Sequence, residues 1–228
     1  TLVGTGVGPL KAPRGVTVTA AGTLVIADTG NRRVVWSSAT VEEITTGNAP
    51  AGGWSAFGTA SVDGSRAVGD FLAPTGVACD AEGRTWITDP GLARLVVVDG
   101  PTGAGWADVA LPPRADGIPR QPYAVARDGD RVLLTDVSAG EVWRVDPDLT
   151  AHRLVEGHPD RRLCAPVAIC PESAGFLVAD AVGARLVRWS RDRGGVLRYR
   201  GELVARGRPP GAATFSRVTG LAVTGGLR

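Results

Sequence analysis

The chain has no methionine, one lysine (Lys11), two histidines (His152 and His158), three cysteines and only 5% aromatic residues among its 228 positions. Each scarcity excludes something. Two histidines without a clustered third ligand do not make a zinc site, and no metal or cofactor is expected. The cysteines Cys79, Cys164 and Cys170 are odd in number and show no CxxC spacing, so no disulfide framework is expected; they read as buried thiols of a reducing compartment, which favours the cytoplasm. No apolar run approaches the roughly 18 residues of a membrane span. The opening TLVGTGVGPLKAPRG lacks the regions of a signal peptide, so the chain reads as soluble. Because methionine is absent even at position 1, the first residue is expected to be processed or to begin an excised region. Clean apolar periodicity near 3.6 is also missing over any window of ten residues, so almost no helix is expected.

What is present is punctuation. The 32 glycines and 16 prolines fall between short runs rich in valine, leucine and threonine, which is the composition of many strands joined by turns. Net charge is only +2, but its placement is uneven. Eight basic and ten acidic residues precede and include Arg114, and seventeen basic and thirteen acidic residues follow it.

One pattern recurs along the chain. Its openings are Ala12-Pro13-Arg14-Gly15-Val16, Ala73-Pro74-Thr75-Gly76-Val77, Gln121-Pro122-Tyr123-Ala124-Val125 and Ala165-Pro166-Val167-Ala168-Ile169. A short turn leads to a second apolar strand that ends in Asp28, Asp89, Asp136 or Asp180. A four-residue turn then leads to a third strand, at Arg33–Trp36, Arg94–Val97, Glu141–Arg144 and Arg185–Trp189. A weaker fourth strand is placed at Glu42 to Thr46, Trp106 to Leu111, His152 to Glu156 and Arg198 to Ala205. From proline to proline the period runs from 44 to 61 residues. Four-stranded units of this length without intervening helix imply antiparallel meanders stacked around an axis, because one small sheet cannot bury both of its faces alone.

The units resemble NHL repeats, most fully in Ala27-Asp28-Thr29-Gly30-Asn31-Arg32-Arg33-Val34, and Asp63-Gly64, Ala67, Phe71, Pro74 and Gly76 resemble the linker between NHL blades. Later units depart from the pattern: Pro90–Ala93 and Ala181–Ala184 lack the asparagine, and Ala124 and Ala168 replace the glycine. The resemblance implies an all-β propeller forming one domain over residues 1–228. Its complete blades are expected at about 12–46, 73–111, 121–156 and 165–205, with a partial fifth or shared blade from 1–6 and 218–228, in a ring of five or six blades if completed. A truncated or incompletely represented ring is expected, whose open edges a missing segment or partner chain covers.

The four aspartates form no carboxylate cluster on this reading, since a radial repeat spreads them around a ring where each caps its own turn. A functional site should instead break the repeat. The links into each blade and the turns between second and third strands share one face, and loops on a rigid scaffold are where function concentrates. Candidate partner-binding residues there are Arg32, Trp54, Phe57, Tyr123, Arg161 and Arg162. The main expectation is a non-catalytic scaffold that docks a protein partner or neighbouring domain through this face or the rim. The alternatives are a metal-dependent lyase or hydrolase with its site at the channel mouth, which some relatives of NHL propellers are, and RNA binding through the arginines between Arg185 and Arg208. Those arginines span two strands and a turn, so a solvated rim is preferred to a nucleic-acid face.

Overall fold

The computed structural model describes residues 7–50, 52–61, 64–155 and 163–204. Four sheets hold nearly all of its strands, each an antiparallel meander of four strands in chain order. The first contains β1 (Val16–Val18), β2 (Thr23–Asp28), β3 (Arg33–Thr40) and β4 (Trp54–Phe57). A short parallel pair, β5 (Thr59–Ala60) and β6 (Asp70–Phe71), forms the link to the next sheet. The second contains β7 (Val77–Cys79), β8 (Thr85–Asp89), β9 (Arg94–Asp99) and β10 (Ala104–Val109). The third contains β11 (Pro122–Asp128), β12 (Arg131–Asp136), β13 (Glu141–Val145) and β14 (Ala151–Val155), and the fourth β15 (Pro166–Glu172), β16 (Gly175–Asp180), β17 (Arg185–Arg191) and β18 (Leu197–Val204). These are the blades of a propeller.

Alternation along each strand sends one set of side chains to the preceding blade and the other to the following one. In the second strands, Val25 and Ala27 of blade 1 meet Ile87 of blade 2, and Trp86 of blade 2 meets Val132 and Leu134 of blade 3. Leu133 of blade 3 then meets Phe176 and Val178 of blade 4. The core is therefore three apolar layers between blades, each holding tryptophan: Trp36 in the first, Trp86 and Trp143 in the second, Trp189 in the third. The inner strands β1, β7, β11 and β15 pack on one another in that order and line the axis. Among the described residues the sheets do not close into a ring.

Two of the sequence expectations fail in blade 1. Residues Glu42 to Thr46 are not its fourth strand but part of a helix, α1 (Val41–Thr46). Thr40 caps it: the Thr40 hydroxyl accepts from Glu43 N at 3.2 Å, and the Glu43 carboxylate accepts from Thr40 N at 2.7 Å. The chain turns at Gly47, whose φ of 77° suits a residue without a side chain, and the fourth strand follows at β4. Blade 1 thus runs to Phe57 rather than ending at 46. The fourth strands of the other blades lie within about two residues of their expected places. The expected partial strands at 1–6 and 218–228 lie outside the described residues.

Candidate functional site

The loop-bearing face is organised by the four repeat aspartates, all fully buried. Asp28 accepts from Lys11 N (2.7 Å) and Asn31 Nδ2 (2.7 Å). Asp89 accepts from Leu72 N and Ala73 N (both 2.9 Å) and from Leu92 N. Asp136 accepts from Gln121 N, Ser138 N and Ala139 N, and Asp180 from Cys164 N, Ala165 N and Gly183 N. Each carboxylate therefore fastens two segments, the link entering its blade and the turn leaving its second strand. Charge-assisted bonds to main-chain N–H groups make such a clamp strong and leave the aspartate no freedom to react.

Where the inner strands begin, the residue between proline and glycine or alanine differs in every blade: Arg14, Thr75, Tyr123 and Val167. These positions ring the mouth of the axis on the clamped face. The neighbouring glycine is required by close packing. A Cβ on Gly76 would lie 2.7 Å from Tyr123 O and 2.8 Å from Thr88 Oγ1, so β7 and β11 approach too closely for a side chain there. Thr75 and Thr88 donate their hydroxyls to Tyr123 O at 2.9 and 2.6 Å, fixing the tyrosine backbone. Arg14 reaches past blade 2 and donates from Nη1 to Tyr123 Oη at 2.6 Å. A guanidinium and a phenol are thus held side by side across the mouth.

Farther out on this face, the repeat breaks between blades 2 and 3. In blades 1 and 4 the arginine that opens the third strand pairs with the clamp: Arg33 Nε lies 2.8 Å from Asp28, and Arg185 Nε 3.0 Å from Asp180. Arg94 of blade 2 turns away, donates to the carbonyls of Arg66 and Asp70, and lies 5.0 Å from the ring centre of Trp106. Its side chain is 1% exposed, its Nε has no hydrogen-bond partner among the described residues, and burial lowers the pKa of the guanidinium. Blade 3 carries Glu141 instead, and Arg120 from the link pairs with both Glu141 and Asp136 at 2.8 Å while stacking over Trp143. Between these altered blades lies a cleft of about 460 Å³, lined among others by Arg66, Asp108, Leu111, Arg114, Ile118 and Arg120.

The candidate residues from sequence scatter. Tyr123 stands at the mouth. Trp54 and Phe57 sit in strand β4, not in the irregular link where they were expected, because the fourth strand of blade 1 lies there and not at Glu42 to Thr46. Phe57 packs edge-on to Phe71 and against Trp106 between blades 1 and 2, which commits it to the core. Arg32, in left-handed conformation (φ 55°), ends its turn and extends towards Ser61 O. Arg161 and Arg162 lie outside the described residues. Sequence reasoning passed over Arg14, Arg66 and Arg120. Arg14 carried a signal, since it occupies the one opening position whose residue type changes in every unit.

His152 lies on the rim with Nε2 3.1 Å from Asp146, and His158 is outside the described residues. Among the described residues no group of three or more His, Cys, Asp or Glu side chains could hold a metal ion. The expectation of buried thiols holds for Cys79 only; Cys170 is half-buried and Cys164 exposed, and none is in a disulfide. The arginines of blade 4 are largely engaged: Arg188 with Glu172, Arg198 with Asp192, Arg191 with Gly195 O and Arg200 with Ser190. Among the described residues no helix is long and apolar enough to cross a membrane.

No family model matches the chain, and no curated protein matches it. Solved structures do. A catalytically inactive virginiamycin B lyase from Staphylococcus aureus with quinupristin superposes with a TM-score of 0.60, at 13% identity, over 85% of this chain and 56% of its own. A protein assigned as a gluconolactonase by a structural genomics consortium gives 0.59, at 18% identity, over 88% of this chain and 66% of its own. A dihydro-heme d1 dehydrogenase gives 0.51, at 13% identity, over 85% and 36%. The chain spans little more than half the length of the lyase. At these identities the likeness concerns architecture, so the NHL assignment stays a resemblance of repeat residues, and the chain is, in fold, a set of β-propeller blades.

Proposed function

We propose that this protein is a propeller enzyme acting on a small molecule at the axial mouth of its clamped face, in preference to the non-catalytic scaffold expected from sequence. The observation that carries the reading is the hydrogen bond between Arg14 and Tyr123, which crosses blade 2 and joins two of the three polar members of the one ring of positions that the repeat does not keep constant. Support also comes from the propellers it resembles, a lyase, a protein assigned as a gluconolactonase and a dehydrogenase. Chemically, a guanidinium beside a phenol suits a carbonyl or carboxylate oxygen: Arg14 stabilises developing negative charge there, and Tyr123 donates a hydrogen bond or a proton.

Ring opening of small lactones, gluconolactone first, followed by acid release at constant pH, is the test. Arg14→Ala and Tyr123→Phe are each expected to lower kcat/KM by about 10²-fold, the usual loss for one transition-state donor. Turnover unchanged in both variants, or absent from the unmodified protein, would overturn the reading. A docking role keeps one specific observation in its favour, the exposure of Val16 and Val18 on the flank of blade 1. An association abolished by Val16→Asp in a folded protein would support that role instead.

A further inference from the structure

We propose that the cleft between blades 2 and 3 is a second binding site, independent of the axial mouth, and that it takes a small organic anion with an apolar body. Three observations converge on it. The first is placement. The arginine–aspartate pair that closes blades 1 and 4 is rearranged in both blades flanking this cleft: Arg94 of blade 2 donates to the carbonyl of Arg66, which lines it, and Arg120, also in the lining, pairs with Asp136 and Glu141 of blade 3. A pseudo-symmetric scaffold has no packing reason to change both neighbours of a single gap, since the same pair serves the other blades.

The second is charge. Four charged residues line the cleft, three of them arginines (Arg66, Arg114 and Arg120) and one an aspartate (Asp108). Asp136 and Glu141, which neutralise Arg120, and Asp116, which neutralises Arg114, are not in the lining. Arg66 is the accessible member, with half its side chain exposed. Its Nη1 is anchored on Leu92 O at 2.7 Å, and its Nη2 stands 3.9 Å from Asp108, too far for a hydrogen bond. Asp108 is shared with buried Arg94 at 3.6 Å, so one carboxylate serves two guanidiniums. Arg66 therefore presents donors held in place by the main chain and unsatisfied by any described residue, the arrangement in which arginine recognises carboxylate or a similar anion.

The third is the remaining wall. Val109, Leu111, Pro113 and Ile118 give the cleft an apolar lining, and Ile118 at its lip is 51% exposed. A volume of about 460 Å³ falls within the range of small-molecule sites, which combine apolar walls with a few fixed polar groups. An inorganic ion would leave those walls wet, whereas an amphipathic anion fills them.

The probe is 8-anilinonaphthalene-1-sulfonate, titrated fluorimetrically against the folded full chain and displaced with hexanoate or with its neutral counterpart hexanamide. One saturable site is expected, displaced by hexanoate at concentrations at least tenfold below those needed for hexanamide. Arg66→Gln and Ile118→Asp should each weaken the dye by about tenfold or more, as expected when a charge-assisted hydrogen bond is lost or a like charge is placed at the lip. Both positions are half-exposed, so the melting temperature should be unchanged. Arg200→Gln, which removes an exposed arginine on blade 4, and Arg14→Ala, at the axial mouth, should leave binding intact. The proposal is overturned by absence of saturable binding, by unaltered affinity in both cleft variants, by equal displacement by the acid and the amide, or by loss of binding in Arg14→Ala.

Discussion

Asp28 illustrates how one side chain organises the clamped face. It is fully buried, accepts from Lys11 N and Asn31 Nδ2, and holds Arg33 at 2.8 Å. Removing it strands a main-chain donor and a largely buried guanidinium at once. Asp28→Ala is therefore expected to cost about 3–5 kcal/mol, the range for breaking a buried pair by deleting one partner. Urea unfolding measures it, and a loss below about 1 kcal/mol would contradict the clamp. The aspartates were legible in sequence as turn-capping residues because they recur at one repeat position. That each also grips the incoming link was not, since Lys11 and Asp28 are 17 residues apart and meet only when the blade is folded.

Helix α1 shows local chemistry overruling a repeat pattern. Val41, Ile44, Thr45 and Thr46 suit a strand, and the repeat led to a strand being expected there, yet Thr40 and Glu43 form a capping box that starts a helix. The Thr-x-x-Glu spacing was present in the sequence; the competing expectation of a fourth strand obscured it. The hydrogen bond from Thr40 N lowers the Glu43 carboxyl below the ordinary glutamate pKa, assisted by the Thr40 hydroxyl. Since the folded value lies below the unfolded one, the cap's contribution is present above the ordinary glutamate range and is lost as pH falls through the folded value. A carbon-13 titration of Glu43 should find that low midpoint, and Thr40→Ala should move it upward while reducing stability by about 1 kcal/mol. A midpoint at or above the ordinary value in the unmodified protein would rule out the box in solution.

At the scale of the whole molecule, stability comes from each blade covering the next. Val77, Val125 and Ile169, which face the preceding blade, are 5%, 8% and 6% exposed, but the equivalent Val16 is 63% exposed, because no described blade stands against it. Val77→Ala should cost about 2 kcal/mol and Val16→Ala less than about 0.5 kcal/mol by chemical denaturation. Equal costs at the two positions would mean that something covers Val16 in solution. By itself, the sequence determined the blade strands apart from β4, their order and the propeller, because a period-2 apolar pattern punctuated by Pro, Gly and Asp is local and repeats four times. Only the tertiary structure decided what breaks that regularity. Arg14 meets Tyr123 from 109 residues away, and Arg94 leaves its aspartate for Arg66 and Trp106. Such pairings depend on which blades become neighbours and how closely they approach, and distance along the chain does not encode either.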